Sequence, residues 1–193
     1  MRIQVEIKGQ VPLLMNNIRS ANKRDPLVRE KDKLQKANKA RAYTDERQDQ
    51  IDRLAWQTSL YEHDGRVVVL ADMLLACMIS GARLSRQGKD VERAGFYTDE
   101  AHYPLQYDGP RDLDKLYADG RFVDKRMGCL QGRSKILVVR PVFPAWSLAF
   151  DLTWDEEIVD RDVVERILEA AGLRCGIGTW RPRFGRFEVV SVK

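Results

Sequence analysis

Cys175-Gly-Ile-Gly-Thr-Trp-Arg-Pro-Arg-Phe-Gly-Arg-Phe-Glu-Val-Val190 is the stretch around which the rest of the chain is organised. It sets three glycines, three arginines and three aromatics between a helical pattern and a final strand. Gly176, Gly178 and Gly185 tolerate positive φ or the close approach of another backbone. Arg181, Arg183 and Arg186 offer planar forks that match phosphate oxygens or base edges. Trp180, Phe184 and Phe187 offer flat faces on which a base stacks. A dinucleotide-binding reading fails on order, because that fingerprint needs a strand before the glycines and a helix after them. Here a helix precedes and a strand follows. A purely structural explanation stands beside the binding one: glycine-rich turns often lead into edge strands, and Trp180 and Phe187 also suit a core.

Upstream of this loop, Asp160 is placed to cap a helix whose buried stripe is Val163, Val164, Ile167, Leu168 and Ala171, with Gly172 at its C′ position. Residues 146–154 alternate Trp146, Leu148, Phe150, Leu152 and Trp154, the period-two pattern of a half-buried strand. Ile3, Val5 and Ile7 alternate in the same way near the start of the chain. Between these strands, Asp45 opens a helix carrying Ile51 and Leu54, His63-Asp-Gly65 marks a turn, and Arg66 to Leu70 reads as a strand. The helix from Ala71 to Arg86 is apolar nearly all round, which predicts burial against a sheet, and Gly81 predicts a close helix–sheet crossing. Ala101 to Tyr107 forms a further strand. The order strand, long helical excursion, strand, strand, helix, strand predicts an α+β fold with a ferredoxin-like (RRM-like) antiparallel sheet and helices on one face.

Two basic segments interrupt this order. From Arg19 to Arg41 there are nine lysines or arginines against three acids, about +6 in a chain whose net charge is +4. So few apolar residues predict a mobile insertion over residues 17–44, in which Arg19, Lys23 and Arg24 are candidate phosphate contacts. Residues 121–140 predict a basic β-hairpin with a tip from Gly128 to Gly132, flanked by Lys125, Arg126, Arg133 and Lys135. Basic residues on a hairpin edge also serve to prevent edge-to-edge aggregation. The whole of 1–193 is expected as one domain.

At 44% apolar and 32% charged, the composition is that of a globular protein with a heavily charged surface. No apolar run approaches the roughly 20 residues of a membrane span, and the N-terminus has no apolar core of a secretion signal. Cys77, Cys129 and Cys175 are odd in number and far apart, which argues against disulfides and for a cytoplasmic location. The isoelectric point near 9.0 suits an anionic partner. Catalytic chemistry finds no support: His63 and His102 have no nucleophile or second histidine at triad or ligand spacing, and Asp155, Glu156 and Glu157 read as a solvated strand-to-helix connection. The expectation is a protein that is not an enzyme and needs no cofactor or metal.

The segments Ala170-Ala-Gly172, Gly176-Ile-Gly178 and Phe184-Gly-Arg-Phe-Glu-Val189 together resemble the C-terminal region of the RAMP superfamily, the ferredoxin-like proteins of class 1 CRISPR systems. Arg2-Ile-Gln-Val-Glu-Ile-Lys-Gly-Gln-Val-Pro-Leu-Leu-Met15 and Leu60-Tyr-Glu-His-Asp-Gly-Arg-Val-Val-Val-Leu70 are similar to the branch of backbone subunits that coats guide RNA. The chain also looks like uncharacterised phage and prophage proteins ending in Gly-Ile-Gly-x-Trp-Arg-Pro and Phe-Gly-Arg-Phe. This resemblance implies an RRM-like protein that binds single-stranded DNA or RNA and assembles head-to-tail as a homo-oligomer along the strand. It also implies that the basic hairpin matches the thumb that wedges between bases. The chain is much smaller than typical backbone subunits, and no histidine falls where RAMP nucleases place one. Two other functional classes stay open on the residues alone: self-assembly without nucleic acid, and metal-independent ribonuclease activity.

Overall fold

The computed structural model describes residues 1–39, 43–130 and 134–193. In chain order the elements are β1 (Arg2–Gly9), β2 (Leu13–Leu14), α1 (Pro26–Lys39), α2 (Asp45–Ser59), β3 (Glu62–His63), β4 (Arg66–Leu70), α3 (Ala71–Leu84) and α4 (Gly88–Arg93). There follow β5 (His102–Pro104), α5 (Leu113–Ala118), β6 (Val123–Leu130), β7 (Ser134–Phe143), β8 (Ser147–Thr153), α6 (Arg161–Ala170) and β9 (Phe187–Val192). The fold is mixed α+β with small antiparallel sheets. Among the described residues no helix is long and apolar enough to cross a membrane.

The chain forms two compact units: Met1–Leu13, Glu62–Gly109 and Phe143–Lys193 make the first, Leu14–Tyr61 and Pro110–Val142 the second. Both basic segments thus fall in the second unit.

The first unit is built on the sheet β8-β1-β9, with β1 central. Its antiparallel register sets Val5 opposite Phe150 and Ile7 opposite Leu148, so the alternating positions share a face. Ile3, Val5, Ile7, Leu148, Phe150 and Leu152 are all buried, at about 1.5–3 kcal/mol of burial each. On its other side β1 pairs with β9, with a bulge between Glu6 and Ile7. At Asp64 (φ 50°) and Gly65 (φ 72°) the chain turns from β3 to β4, the left-handed pair that a two-residue hairpin turn requires. Beyond β5, Gln106 bridges to Ser147 at the start of β8.

Two glycines act differently from expectation. A Cβ on Gly81 would lie 2.7 Å from the Cβ of Ala171, so the close approach of α3 is to the turn after α6, not to a sheet. Nor does Gly172 end its helix. The backbone continues as a wider turn over Ala171–Cys175 and stops at Gly176 (φ 73°). A Cβ on Gly172 would instead strike the Phe187 carbonyl oxygen at 2.4 Å, so this glycine lets β9 pass against the helix end.

In the second unit the stretch expected as a mobile arm contains a short helical turn (Ile18–Ala21) and then α1. Pro26 opens the helix, a position where its missing N–H costs nothing. The Asp25 carboxylate accepts from the backbone N–H of Leu27 at 2.9 Å and from Arg19 Nε at 2.6 Å. The Arg19 hydrogen bond is the largest influence holding that carboxyl below the usual carboxylate range. Val28 is buried, and α1 packs on α2. The Asp25 carboxylate and the buried Val28 are thus the local contacts that support a helix in this basic segment. Thr44 caps α2, accepting from the Arg47 N–H at 3.2 Å. Strands β6 and β7 pair as an antiparallel hairpin whose register runs from Val123 opposite Pro141 to Leu130 opposite Ser134. The hairpin is thus present; β6 runs on through Gly128 to Leu130 of the expected tip, and residues 131 and 132 lie outside the described residues.

An ion pair ties the hairpin to α2: Lys125 Nζ lies 2.7 Å from the Asp52 carboxylate, which is buried and also accepts from Gln48 Nε2 at 2.8 Å. That hydrogen bond to Asp52 raises the Lys125 pKa. A raised lysine pKa means the pair stabilises the fold below the unfolded value of 10.5 and loses its contribution as pH climbs through the folded one. Because Lys125 is 43% exposed, screening limits the effect. Asp52→Asn is expected to cost about 1 kcal/mol in urea denaturation at pH 7, with the difference from wild type shrinking as pH rises through the raised Lys125 pKa.

Candidate functional site

The glycine loop is pinched at its base. Ile177 N–H donates to the Gly185 carbonyl at 2.9 Å, Gly185 N–H donates to the Pro12 carbonyl at 2.9 Å, and Gly176 N–H reaches back to Ala171 at 2.8 Å. Gly176, Gly178 and Gly185 all hold positive φ (73°, 82° and 73°). Where the two sides meet there is no room for side chains: a Cβ on Gly185 would fall 1.8 Å from the Ile177 carbonyl oxygen, and one on Gly176 2.8 Å from the Gly185 carbonyl carbon. Ile177, Phe184 and Phe187 close the base from inside, and all three are buried.

What emerges between the pinned ends is residues 178–183. Arg181 and Arg183 are exposed, and Trp180 is 38% exposed. Trp180 takes φ 56°, a left-handed conformation that costs a non-glycine residue about 1–3 kcal/mol and clusters at binding sites. The Arg181–Pro182 peptide is cis. An Arg181 guanidinium nitrogen approaches the Gly176 carbonyl at 3.5 Å. Beside the loop lies a cleft of about 480 Å³ lined by Ser80, Arg174, Cys175, Thr179, Trp180 and Arg181. Two guanidinium groups, the Thr179 hydroxyl and an indole on one concave surface supply the donors a phosphate needs and a face for a ring, while the Ser80 hydroxyl donates to the Ala76 carbonyl at 2.7 Å.

Several expected contacts sit elsewhere. Phe184, expected as a stacking face, is 7% exposed and sits beneath the loop, its ring centroid 6.3 Å from that of Trp180. Arg186 is half-buried, with Nε shielded from solvent, and its backbone carbonyl accepts from Gln10 N–H at 2.9 Å. In the second unit Lys125 is held by Asp52, Arg126 by Asp124 at 2.6 Å, and Arg19 by Asp25. Lys23 and Arg24 are exposed just before α1. Arg133 lies outside the described residues, and Lys135 is placed only as part of β7.

Arg174, Ser80 and Thr179 line the cleft without standing out in the sequence pattern. Arg174 carried a usable signal, being a cation one residue before the quoted stretch. Ser80 carried none, since it comes from α3, far away in the chain.

The sequence separates His63 from His102, yet their rings stack with centroids 4.0 Å apart and planes 10° from parallel. Face-to-face rings direct their nitrogen lone pairs along parallel planes, so they do not converge on one ion. Among the described residues no group of three potential ligands gathers. Burial, with the Cys175 thiol as the next contribution, pushes the Cys77 thiol up to about 12, and burial also raises that of Cys175. Both are therefore neutral thiols near pH 7, weak as nucleophiles. In comparisons with known proteins, no protein-family model and no curated protein matches the chain.

Proposed function

We propose that the protein binds single-stranded nucleic acid through residues 174–183 and is not an enzyme. One observation carries this reading: a pinched glycine base presents Trp180 in a left-handed conformation beside Arg181 and Arg183, with Arg174 lining the same cleft. Stacking on Trp180 gives affinity for any base, and the guanidinium groups follow the phosphates. The first unit also supports a ferredoxin-like arrangement: β5 borders β8 through the Gln106–Ser147 bridge, β1 and β9 follow across the sheet, and α3 packs with α6. With that fold comes the likeness to the RAMP superfamily, and with it head-to-tail assembly along the strand. Cys77 and Cys175 are free thiols, which suits a reducing cytoplasm.

The test is a fluorescence-anisotropy titration of labelled single-stranded DNA and RNA oligomers across a salt series, with Arg181→Ala/Arg183→Ala beside the wild type. Both arginines are exposed, so the variant should fold normally. Its affinity is expected to fall roughly tenfold or more, and the slope of log K against log salt to shrink by about 2. Absence of binding at low salt, or binding unchanged in the variant, overturns the proposal.

A further inference from the structure

We infer that the second unit carries a separate recognition site for a guanine base, in the cleft lined by Asp49, Tyr117, Ala118, Gly120, Val123 and Lys125. The cleft has a volume of about 630 Å³, ample for one base. It is unlike the glycine-loop cleft in charge: it holds a carboxylate, an ammonium and a phenol in place of two guanidinium groups.

The polar groups are held or left open in a way that suits a ligand. The Lys125 ammonium is fixed from behind by Asp52, itself anchored by Gln48, which in turn accepts from Asn38 Nδ2 at 3.2 Å. An ammonium has three N–H donors, and Asp52 engages only part of that capacity. Tyr117 is braced by Trp56, ring centroids 5.5 Å apart and planes 66° from parallel. The Tyr117 hydroxyl and the exposed Asp49 carboxylate make no hydrogen bond among the described residues. At Gly120 (φ 76°) nothing lies within 4 Å of where a Cβ would point, so backbone borders the cleft without a side chain to fill it.

Base chemistry selects among ligands for such a set. A carboxylate accepts best from two adjacent N–H donors, and guanine alone presents them, at N1 and at the exocyclic amino group. Its O6 lies next to them as an acceptor for the Lys125 ammonium, and its flat face suits the Tyr117 ring. Adenine and cytosine set a ring-nitrogen acceptor beside their amino groups, which the Asp49 carboxylate repels. Uracil and thymine offer a single N–H between two carbonyls. A guanine in a strand and a free guanine nucleotide present the same edge. The strand-bound case rests on the nucleic-acid reading above.

The experiment uses the full chain and anisotropy competition with oligothymidylates bearing one central dG, dA or inosine, together with free GMP. The wild type is expected to bind the dG oligomer roughly ten- to a hundredfold tighter than the dA oligomer, with inosine between them because it lacks the exocyclic amino group. Asp49→Asn should abolish the preference and leave affinity for plain oligothymidylate unchanged. Equal wild-type affinity for dG and dA oligomers, or a preference that survives Asp49→Asn, overturns the guanine site while the backbone-binding reading stands. Saturable GMP binding that Asp49→Asn abolishes, with no oligomer bound, supports the site and refutes strand binding. Failure of both GMP and all oligomers overturns both.

Discussion

Gly185→Ala is expected to lower the thermal midpoint by roughly 6 °C or more, equivalent to about 3 kcal/mol in a chain of this size. Two costs combine at this position. The left-handed backbone (φ 73°) is unfavourable for alanine by about 1–2 kcal/mol. In addition, the new Cβ would fall 1.8 Å from the Ile177 carbonyl oxygen, so the two sides of the loop must part, breaking the Ile177–Gly185 and Gly185–Pro12 hydrogen bonds that pin it. Gly65→Ala separates the two costs. Gly65 has nearly the same φ (72°) but nothing within 4 Å of its would-be Cβ. Its substitution should therefore cost only the backbone part, about 1–2 kcal/mol. Paired urea melts of the two variants measure the difference. If they prove equally destabilised, the pinch does not hold the loop. The Gly185 variant should also bind oligomers more weakly at temperatures where it remains folded, because Trp180 and Arg181 lose their fixed base.

Trp56→Ala should destabilise the second unit by about 3–5 kcal/mol. Trp56 is 1% exposed and donates from Nε1 to the Phe122 carbonyl at 2.8 Å. It is the only tryptophan in the segments that form this unit. Removing it leaves a cavity under Tyr117. The Phe122 carbonyl keeps a second donor, the Val142 N–H at 3.1 Å, so lost packing dominates over lost hydrogen bonding. Trp56→Phe retains most of the volume and should cost about 1–2 kcal/mol. Hydrogen exchange resolved by peptide provides the check, with protection falling in α2 and β6. Full retention of protection in Trp56→Ala would show that this unit's stability lies elsewhere.

Much of the fold is legible in the residues because its signals are local. The alternation of Ile3, Val5 and Ile7, the strand from Ser147 to Thr153 and the stripe of α6 repeat at intervals of two to four residues, and the Asp64-Gly65 turn is set by two adjacent residues. Such spacing selects a backbone conformation wherever the segment ends up. The left-handed glycines of the loop are legible for the same reason, since their need for positive φ is a property of a few consecutive residues.

Other features depend on partners distant in the chain. Composition marks residues 17–44 as a basic insertion, and it does not show the Asp25 cap or the packing of α1 on α2. The charge of Lys125 is plain in the sequence, but its pairing with Asp52 arises only when hairpin and helix meet. Phe184 and Trp180 look alike as aromatics of one loop; the pinch at Gly185 turns one inward and leaves the other out. Gly81 announces a close approach without saying that Ala171 is what approaches. Local spacing thus determined the elements and the loop's chemistry. The grouping into two compact units, the inward turn of Phe184, the pairing of Lys125 with Asp52 and the composition of both clefts were decided by tertiary packing, because a contact between residues tens of positions apart leaves no periodic trace in either of them.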